Sequence, residues 1–154
     1  MNELVNLRNK VVRRAIWGAF IIYLATVGVL CFAPTLPLVI PASEPVPYIY
    51  LGKAPFIYLP FAELTHLDFY LNIVMTLPFG VFIALLRQKK WSSLKVIGTG
   101  LAVGATIELT QLILDNLELT SRWIDVNDIL ANAAGLCLGY LIVAWLQIKI
   151  SKQK

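Results

Sequence analysis

Four long apolar segments constrain the fold of this chain more than any other feature of its sequence. They lie at about residues 15–33, 68–86, 94–114 and 126–148. As helices rising about 1.5 Å per residue, all four are long enough to cross roughly 30 Å of hydrocarbon. A lipid-exposed segment must also satisfy its backbone hydrogen bonds internally. The sequence therefore predicts an all-α membrane protein with four transmembrane helices in a single domain, residues 1–154.

The composition agrees with a membrane protein. Hydrophobic residues make up 58% of the chain and charged residues 14%, whereas a soluble domain is about half apolar and about a quarter charged. The basic residues cluster beside the apolar segments, and no nucleic-acid-binding motif accompanies them, so we expect no nucleic-acid partner. Cys31 and Cys137 both fall in apolar runs, which indicates small apolar residues and not a disulfide framework.

The first apolar segment is predicted to be a retained helix and not a signal peptide. It is about twice as long as a usual signal core, and no A-x-A-like site follows it. Leu30 precedes Cys31, at a position where lipoprotein cleavage needs a small residue. Cleavage of either kind is therefore not expected.

The distribution of positive charge predicts the orientation. Eleven of the 13 Lys and Arg residues lie at the N-terminus, in the 87–95 connection or at the C-terminus, and only Lys53 and Arg122 lie opposite. The positive-inside rule then places both termini in the cytoplasm.

The connection between the first and second spans is rich in proline. Residues 34–67 hold seven of the eight prolines, a spacing that excludes a regular helix and predicts a long irregular extracytoplasmic loop. Tyr48–Leu51 and Phe56–Phe61 are apolar or amphipathic residues suited to the membrane interface. We expect part of this loop to lie on the membrane surface and to cover the outer ends of the helices beneath it.

Polar side chains within the apolar spans mark a candidate site. The stretch Glu108–Asn132 holds five of the nine acidic residues, and burying such groups in a membrane carries a desolvation penalty. Spacings of three or four residues place the polar groups of each span on one helix face. Three helices thus offer polar groups roughly 6–10 Å below their outer ends, which predicts one pocket that opens outward. Its candidate residues are Asp68, Asn72, Glu108, Gln111, Arg122, Asp125, Asp128 and Asn132.

The charges of the predicted pocket do not balance. Arg122 is the only basic side chain near its carboxylates, so we expect a salt bridge from Arg122, with the surplus acids protonated or bridged by a cation. Glu108, Asp125 and Asp128 are the candidate ligands if a divalent cation binds, and no other cofactor is predicted. An alternative interpretation treats the polar groups as contacts between helices, with Asp125 capping the fourth span.

The glycine and proline residues of the spans predict how the helices pack and bend. The third span contains Gly100-x-x-x-Gly104 and the fourth Gly135-x-x-x-Gly139, which favour close helix approach. Pro78 lies within the second span and should bend it.

The polar and small residues resemble those of a known family. The pattern runs from Asp68-x-x-x-Asn72 through Glu108-x-x-Gln111 and Arg122-x-x-Asp125-x-x-Asp128-x-x-x-Asn132 to Gly135-x-x-x-Gly139, within about residues 66–145. It resembles the VanZ-like family of bacterial membrane proteins, and the first span and the proline-rich segment lie outside it. The resemblance implies a multi-pass cell-envelope protein of the cytoplasmic membrane. The family's namesake is associated with resistance to the lipoglycopeptide teicoplanin, but the resemblance supplies no established reaction.

Three functions remain open. The favoured one is binding of a cell-wall precursor lipid, another lipid headgroup or a lipoglycopeptide in the polar pocket. A membrane enzyme acting on a lipid-linked phosphate would use paired carboxylates with Arg122 as a clamp, but no HExxH motif or Gly-rich phosphate loop is present and His66 stands alone. A small proton- or cation-coupled transporter would use Glu108 as the carrier and would have to oligomerise. The sequence leaves the oligomeric state open.

The predicted orientation can be tested with reporter fusions. A fluorescent protein fused after the C-terminus should fluoresce, and alkaline phosphatase at the same place should be inactive, because that terminus is expected in the cytoplasm. Phosphatase inserted after Lys53 should be active. The reversed pattern would show that the charge distribution does not set the topology.

Overall fold

The computed structural model describes residues 9–34, 46–87 and 90–153. Its four helices are long and apolar enough to cross a membrane, so the prediction of four apolar spans is confirmed. Pro37, Pro41 and Pro45 of the predicted loop, and parts of all three basic clusters, lie outside the described residues. The helices are α1 (Lys10–Phe32), α2 (Leu67–Leu86), α3 (Ser93–Asn116) and α4 (Val126–Lys152).

A small sheet corrects the all-α prediction. Strands β1 (Tyr48–Leu51) and β2 (Ala54–Ile57) form an antiparallel hairpin, and β2 also pairs in parallel with β3 (Ile124–Asp125). The prolines excluded a helix correctly, but Pro55 is compatible with a strand here because β3 pairs only with Phe56 and Ile57. The segment predicted to be irregular is therefore partly an ordered hairpin.

The hairpin turn is attached to the end of α3. Gly52 has φ 69°, a left-handed conformation that glycine adopts readily in two-residue hairpin turns. The Asn116 side chain accepts a hydrogen bond from the Lys53 backbone N–H (3.0 Å) and donates to the Leu51 carbonyl (3.1 Å). This pairing holds the hairpin over the end of the bundle where α3 ends and α4 begins.

Glycines let α4 approach both of its neighbours, as the two motifs predicted. A Cβ on Gly139 would lie 2.0 Å from the Leu77 carbonyl oxygen of α2. A Cβ on Gly104 of α3 would lie 2.8 Å from the Ile129 carbonyl oxygen of α4. The backbones of α2, α3 and α4 are therefore in close contact, with α4 in the middle.

Helix α1 packs against α2 through aromatic side chains. The Phe20 ring lies 5.3 Å from the Phe79 ring, centroid to centroid. The Tyr23 hydroxyl donates to the Met75 carbonyl at 2.6 Å. This contact is next to the carbonyl of Val74, which Pro78 leaves without its usual helical donor. The proline thus falls where α1 meets α2.

Substituting Gly139 by alanine should destabilise the fold. The added methyl would overlap the backbone of α2, and overpacking of this kind costs about 1–3 kcal/mol. We expect a lower midpoint of thermal unfolding in detergent. Gly98→Ala is the matched control, because a Cβ at Gly98 meets nothing within 4 Å. Equal midpoints for the two variants would contradict the packing described here.

Candidate functional site

Polar side chains meet at the end of the bundle where α2 and α4 begin and α3 ends. Helix α3 contributes Glu108, the start of α4 contributes Asp125 and the residues after it, and α2 contributes residues of its first turns. The loop before α2 contributes one further acid. We call this set the polar cluster: Glu63, Asp68, Asn72, Glu108, Asp125, Asn127, Asp128 and Asn132.

Glu108 and Asp125 form the centre of the polar cluster. Glu108 Oε2 accepts a hydrogen bond from the Asp125 backbone N–H at 2.9 Å, and both residues are buried. Asp125 Oδ1 in turn accepts from the backbone N–H and the side-chain Nδ2 of Asn127, both at 2.7 Å. Asp125 therefore caps α4 with one of its two carboxylate oxygens, as the alternative interpretation of the sequence expected.

The polar residues of α2 contact those of α4. The Asn72 side chain lies close to the Asp128 carboxyl group. One turn further along, the Thr76 hydroxyl lies 2.8 Å from the Asn72 carbonyl and 2.9 Å from the Asn132 carbonyl. Asp68 is exposed at the edge of the cluster. The structure thus brings together the predicted residues of α2, α3 and α4 at one end of the bundle.

Two predicted site residues bind the end of α1 instead. Gln111 Nε2 donates to the Cys31 carbonyl at 3.1 Å, and Arg122 Nη2 donates to the Leu30 carbonyl at 2.9 Å. Both carbonyls belong to the last turn of α1, where the helix itself supplies no donor. Gln111 and Arg122 therefore attach α1 to the rest of the bundle.

The expected salt bridge of Arg122 is not formed. Within residues 9–34, 46–87 and 90–153, the ion pairs are Lys53 with Glu118 and His66 with Glu63. Arg122 donates one N–H to the α1 carbonyl and forms no ion pair with a carboxylate of the polar cluster in this part of the chain.

Glu63 belongs to the site, although the sequence alone did not assign it there. Its side chain is only 13% exposed and lies close to the Asp125 carboxyl group. Burial, followed by the interaction with the Asp125 carboxyl group, raises the pKa of Glu63 to about 8. Two carboxyl groups in contact favour sharing one proton. Glu63 lies in the proline-rich loop outside the helical spacings, so helical periodicity could not reveal it.

Asn127 is the second residue that the sequence reasoning missed. It is fully buried, and its Nδ2 donates to the Leu59 carbonyl at 2.9 Å. Asn127 thus connects the start of α4 to the loop that carries Glu63. Its position two residues after the capping residue Asp125 was the available signal, because polar residues are common in a first turn.

Six buried side-chain atoms of the described residues have no hydrogen-bond partner, and all six lie between residues 122 and 132. Buried polar atoms are normally hydrogen-bonded, so their concentration in one segment is unusual. Such atoms are completed in other proteins by a bound polar group or by water. The atoms are Arg122 Nε, Asp125 Oδ2, Asn127 Oδ1, Asp128 Oδ1, Asn132 Nδ2 and Asn132 Oδ1.

The acids do not form a metal-binding set. No three His, Cys, Asp or Glu side chains in the described part of the chain are placed to hold a metal ion. Two of the three predicted ligands already accept hydrogen bonds from backbone N–H groups, at Glu108 Oε2 and Asp125 Oδ1. Those two oxygens are therefore already used in hydrogen bonds to the backbone.

The fold and the polar cluster together define a multi-pass membrane protein with four apolar helices and a buried polar region at one end of the bundle. Residues 20–147 match the family model described as VanZ/LLP1, and the chain belongs to this family. The match confirms the resemblance and extends it into α1 and the proline-rich segment, which the residue pattern did not include. No curated protein and no solved structure gives a significant match.

Replacing Glu63 by Gln should flatten the dependence of stability on pH. The pKa of about 8 in the folded protein exceeds the ordinary value of 4.5, so folding takes up a proton between these two values. The stabilisation due to Glu63 is complete below pH 4.5 and is lost as the pH rises through about 8. The thermal midpoint of the wild type should therefore fall across this window relative to Glu63→Gln, whose amide is always neutral.

Glu118→Gln is the control for this measurement. Lys53 lowers the pKa of Glu118 from its ordinary value of 4.5. Glu118 therefore does not titrate in the neutral part of the window, and its substitution should leave the slope there unchanged. Identical slopes for the wild type and Glu63→Gln would show that the Glu63–Asp125 contact does not share a proton.

Proposed function

We propose that the polar cluster binds the headgroup of an amphiphile at the outer face of the bacterial cytoplasmic membrane. A cell-wall precursor lipid or another lipid headgroup is the ligand class, and its occupancy affects susceptibility to lipoglycopeptides such as teicoplanin. One observation carries the proposal: six buried polar atoms without protein partners in residues 122–132. Atoms of this kind are costly to bury unless a bound polar group or water completes their hydrogen bonds.

The surroundings of the cluster suit an amphiphilic ligand. The hairpin and the following loop expose Tyr50, Tyr58 and Phe61, residue types that are favoured at the membrane–water interface. Tyr48 and Trp123 stack edge to face, with centroids 5.0 Å apart, where the hairpin meets the segment before α4. An amphiphile could therefore keep its tail in lipid while its headgroup approaches the polar cluster.

An enzyme acting on a lipid-linked phosphate is the second candidate. It is favoured by the Glu63–Asp125 contact, because a protonated carboxyl beside an ionised one is a common arrangement for general acid–base chemistry. It is disfavoured by Arg122, the expected phosphate clamp, which donates to the Leu30 carbonyl.

A transporter has less support. The expected carrier Glu108 is 3% exposed and accepts a hydrogen bond from the Asp125 backbone. This arrangement is typical of a fixed structural contact.

The headgroup proposal predicts a phenotype that depends on the cluster. Expression of the wild-type protein in a teicoplanin-sensitive bacterium should raise the inhibitory concentration of the antibiotic. Asp128→Asn and Asn132→Ala should abolish most of that increase at equal membrane abundance, because each removes groups available to the ligand. Glu118→Gln, an exposed acid outside the cluster, should behave as wild type. If both cluster variants raised the inhibitory concentration as much as the wild type does, the polar cluster would not have the proposed role.

A further inference from the structure

The unpartnered atoms of the polar cluster are mostly hydrogen-bond acceptors. Four of the six are carboxylate or amide oxygens, on Asp125, Asn127, Asp128 and Asn132, and two are donors, on Arg122 and Asn132. Ionised carboxylates accept hydrogen bonds and donate none. A ligand that fits this set must therefore bring donors.

The charge of the cluster also favours a ligand with hydrogen-bond donors. The cluster contains five acids: Glu63, Asp68, Glu108, Asp125 and Asp128. Among the described residues only His66 forms an ion pair with one of them, Glu63, while Arg122 donates to the Leu30 carbonyl. Lys53 pairs with the exposed Glu118. Acids grouped in this way must either hold protons or be neutralised by a cation. A cationic ligand would neutralise these acids.

Asn132 supplies an observation that is independent of the acids. It is 1% exposed, and both atoms of its amide lack partners. It lies one helical turn after Asp128 on the same face of α4. Its Cβ is 3.2 Å from the place that a Cβ on Gly104 would occupy, and Gly104 is one turn before Glu108 on α3. The amide thus lies beneath the carboxylates, between α3 and α4.

The ligand requirements of an ammonium group are easier to meet here than those of a bare metal ion. A divalent metal needs oxygens converging at about 2.0–2.6 Å, and no three acidic, His or Cys side chains in the described ranges are placed to do so. An ammonium group instead forms N–H···O contacts of about 2.7–2.9 Å to separate acceptors. It can therefore use acceptors that do not form a metal-binding group.

We propose that the polar cluster takes a primary ammonium group, which donates to Asp128 Oδ1 and Asn132 Oδ1 and is neutralised by the surrounding carboxylates. This inference rests on the proposed headgroup site and names the chemical group bound there. The amine belongs either to an amphiphile in the outer leaflet or to a small soluble molecule, and the same N–H donors would serve in both cases.

The test uses the full chain in phosphatidylcholine nanodiscs at pH 7. The probes are dodecylamine, dodecyl phosphate, dodecanol and soluble ethanolamine, and the readout is the midpoint of thermal unfolding as each probe is added. Dodecylamine should raise the midpoint of the wild type, whereas dodecyl phosphate and dodecanol should not. Asp128→Asn should need about tenfold more amine for the same effect, because it loses a charge-assisted hydrogen bond.

Controls separate a binding defect from a folding defect. Glu118→Gln should respond to dodecylamine as the wild type does, and Asp128→Glu, which retains a carboxylate, should respond more strongly than Asp128→Asn. The midpoint of each variant without a probe reports its folding. Stabilisation by ethanolamine as well as by dodecylamine would support a soluble amine, and stabilisation by dodecylamine alone would support an amphiphile.

The outcomes distinguish this inference from the proposed function. An equal response of the wild type, Asp128→Asn and Asp128→Glu to dodecylamine would overturn the ammonium assignment. Stabilisation by dodecyl phosphate alone, abolished in Asn132→Ala, would also overturn it while leaving a headgroup site in place. If none of the four probes stabilised the wild type, both the ammonium assignment and the headgroup site would fail.

Discussion

The hydrogen bond from the Asp125 backbone to the buried Glu108 carboxylate is the contact on which this end of the protein depends. Asp125 belongs at once to the short strand β3 and to the cap of α4. Glu108 therefore positions the start of α4 against α3 and, through the pairing of β3 with Ile57, the hairpin above them. Because a carboxylate buried in a membrane helix is costly unless it is hydrogen-bonded, this contact also explains why α3 can carry the acid.

At this end of the bundle, some polar side chains make structural hydrogen bonds and others have atoms without a hydrogen-bond partner. Gln111 and Arg122 complete the last turn of α1, and Asn127 connects α4 to the loop before α2. Once these contacts are made, the acids of the cluster have no arginine partner. Asp128 and Asn132 are left with unpartnered oxygens. The proposed headgroup site and its preference for an ammonium group both arise from this division.

Much of the architecture could be predicted because lipid restricts what a chain can do. Apolar length alone predicts the four helices, the glycine spacings predict the close contacts of α4, and three- and four-residue spacings predict which polar groups share a helix face. The hairpin was missed because prolines at 47 and 55 exclude a helix but say nothing about a strand with limited pairing. Glu63 was missed because it comes from a loop, where no periodicity relates its position to the helices.

The sequence by itself determined the class of protein, its four spans and the polar character of the region from Glu108 to Asn132, since apolar length and helical spacing are local properties. Only the tertiary structure decided how those polar groups divide their hydrogen bonds. The sequence analysis expected Arg122 to pair with an acid, but Arg122 donates to the Leu30 carbonyl. The last carbonyls of α1 lack helical donors and lie within reach of Arg122. Asp125 meets Glu63, 62 positions earlier in the chain, because folding places the loop over the start of α4. Contacts between distant residues depend on how the helices pack, and local spacing does not specify that packing.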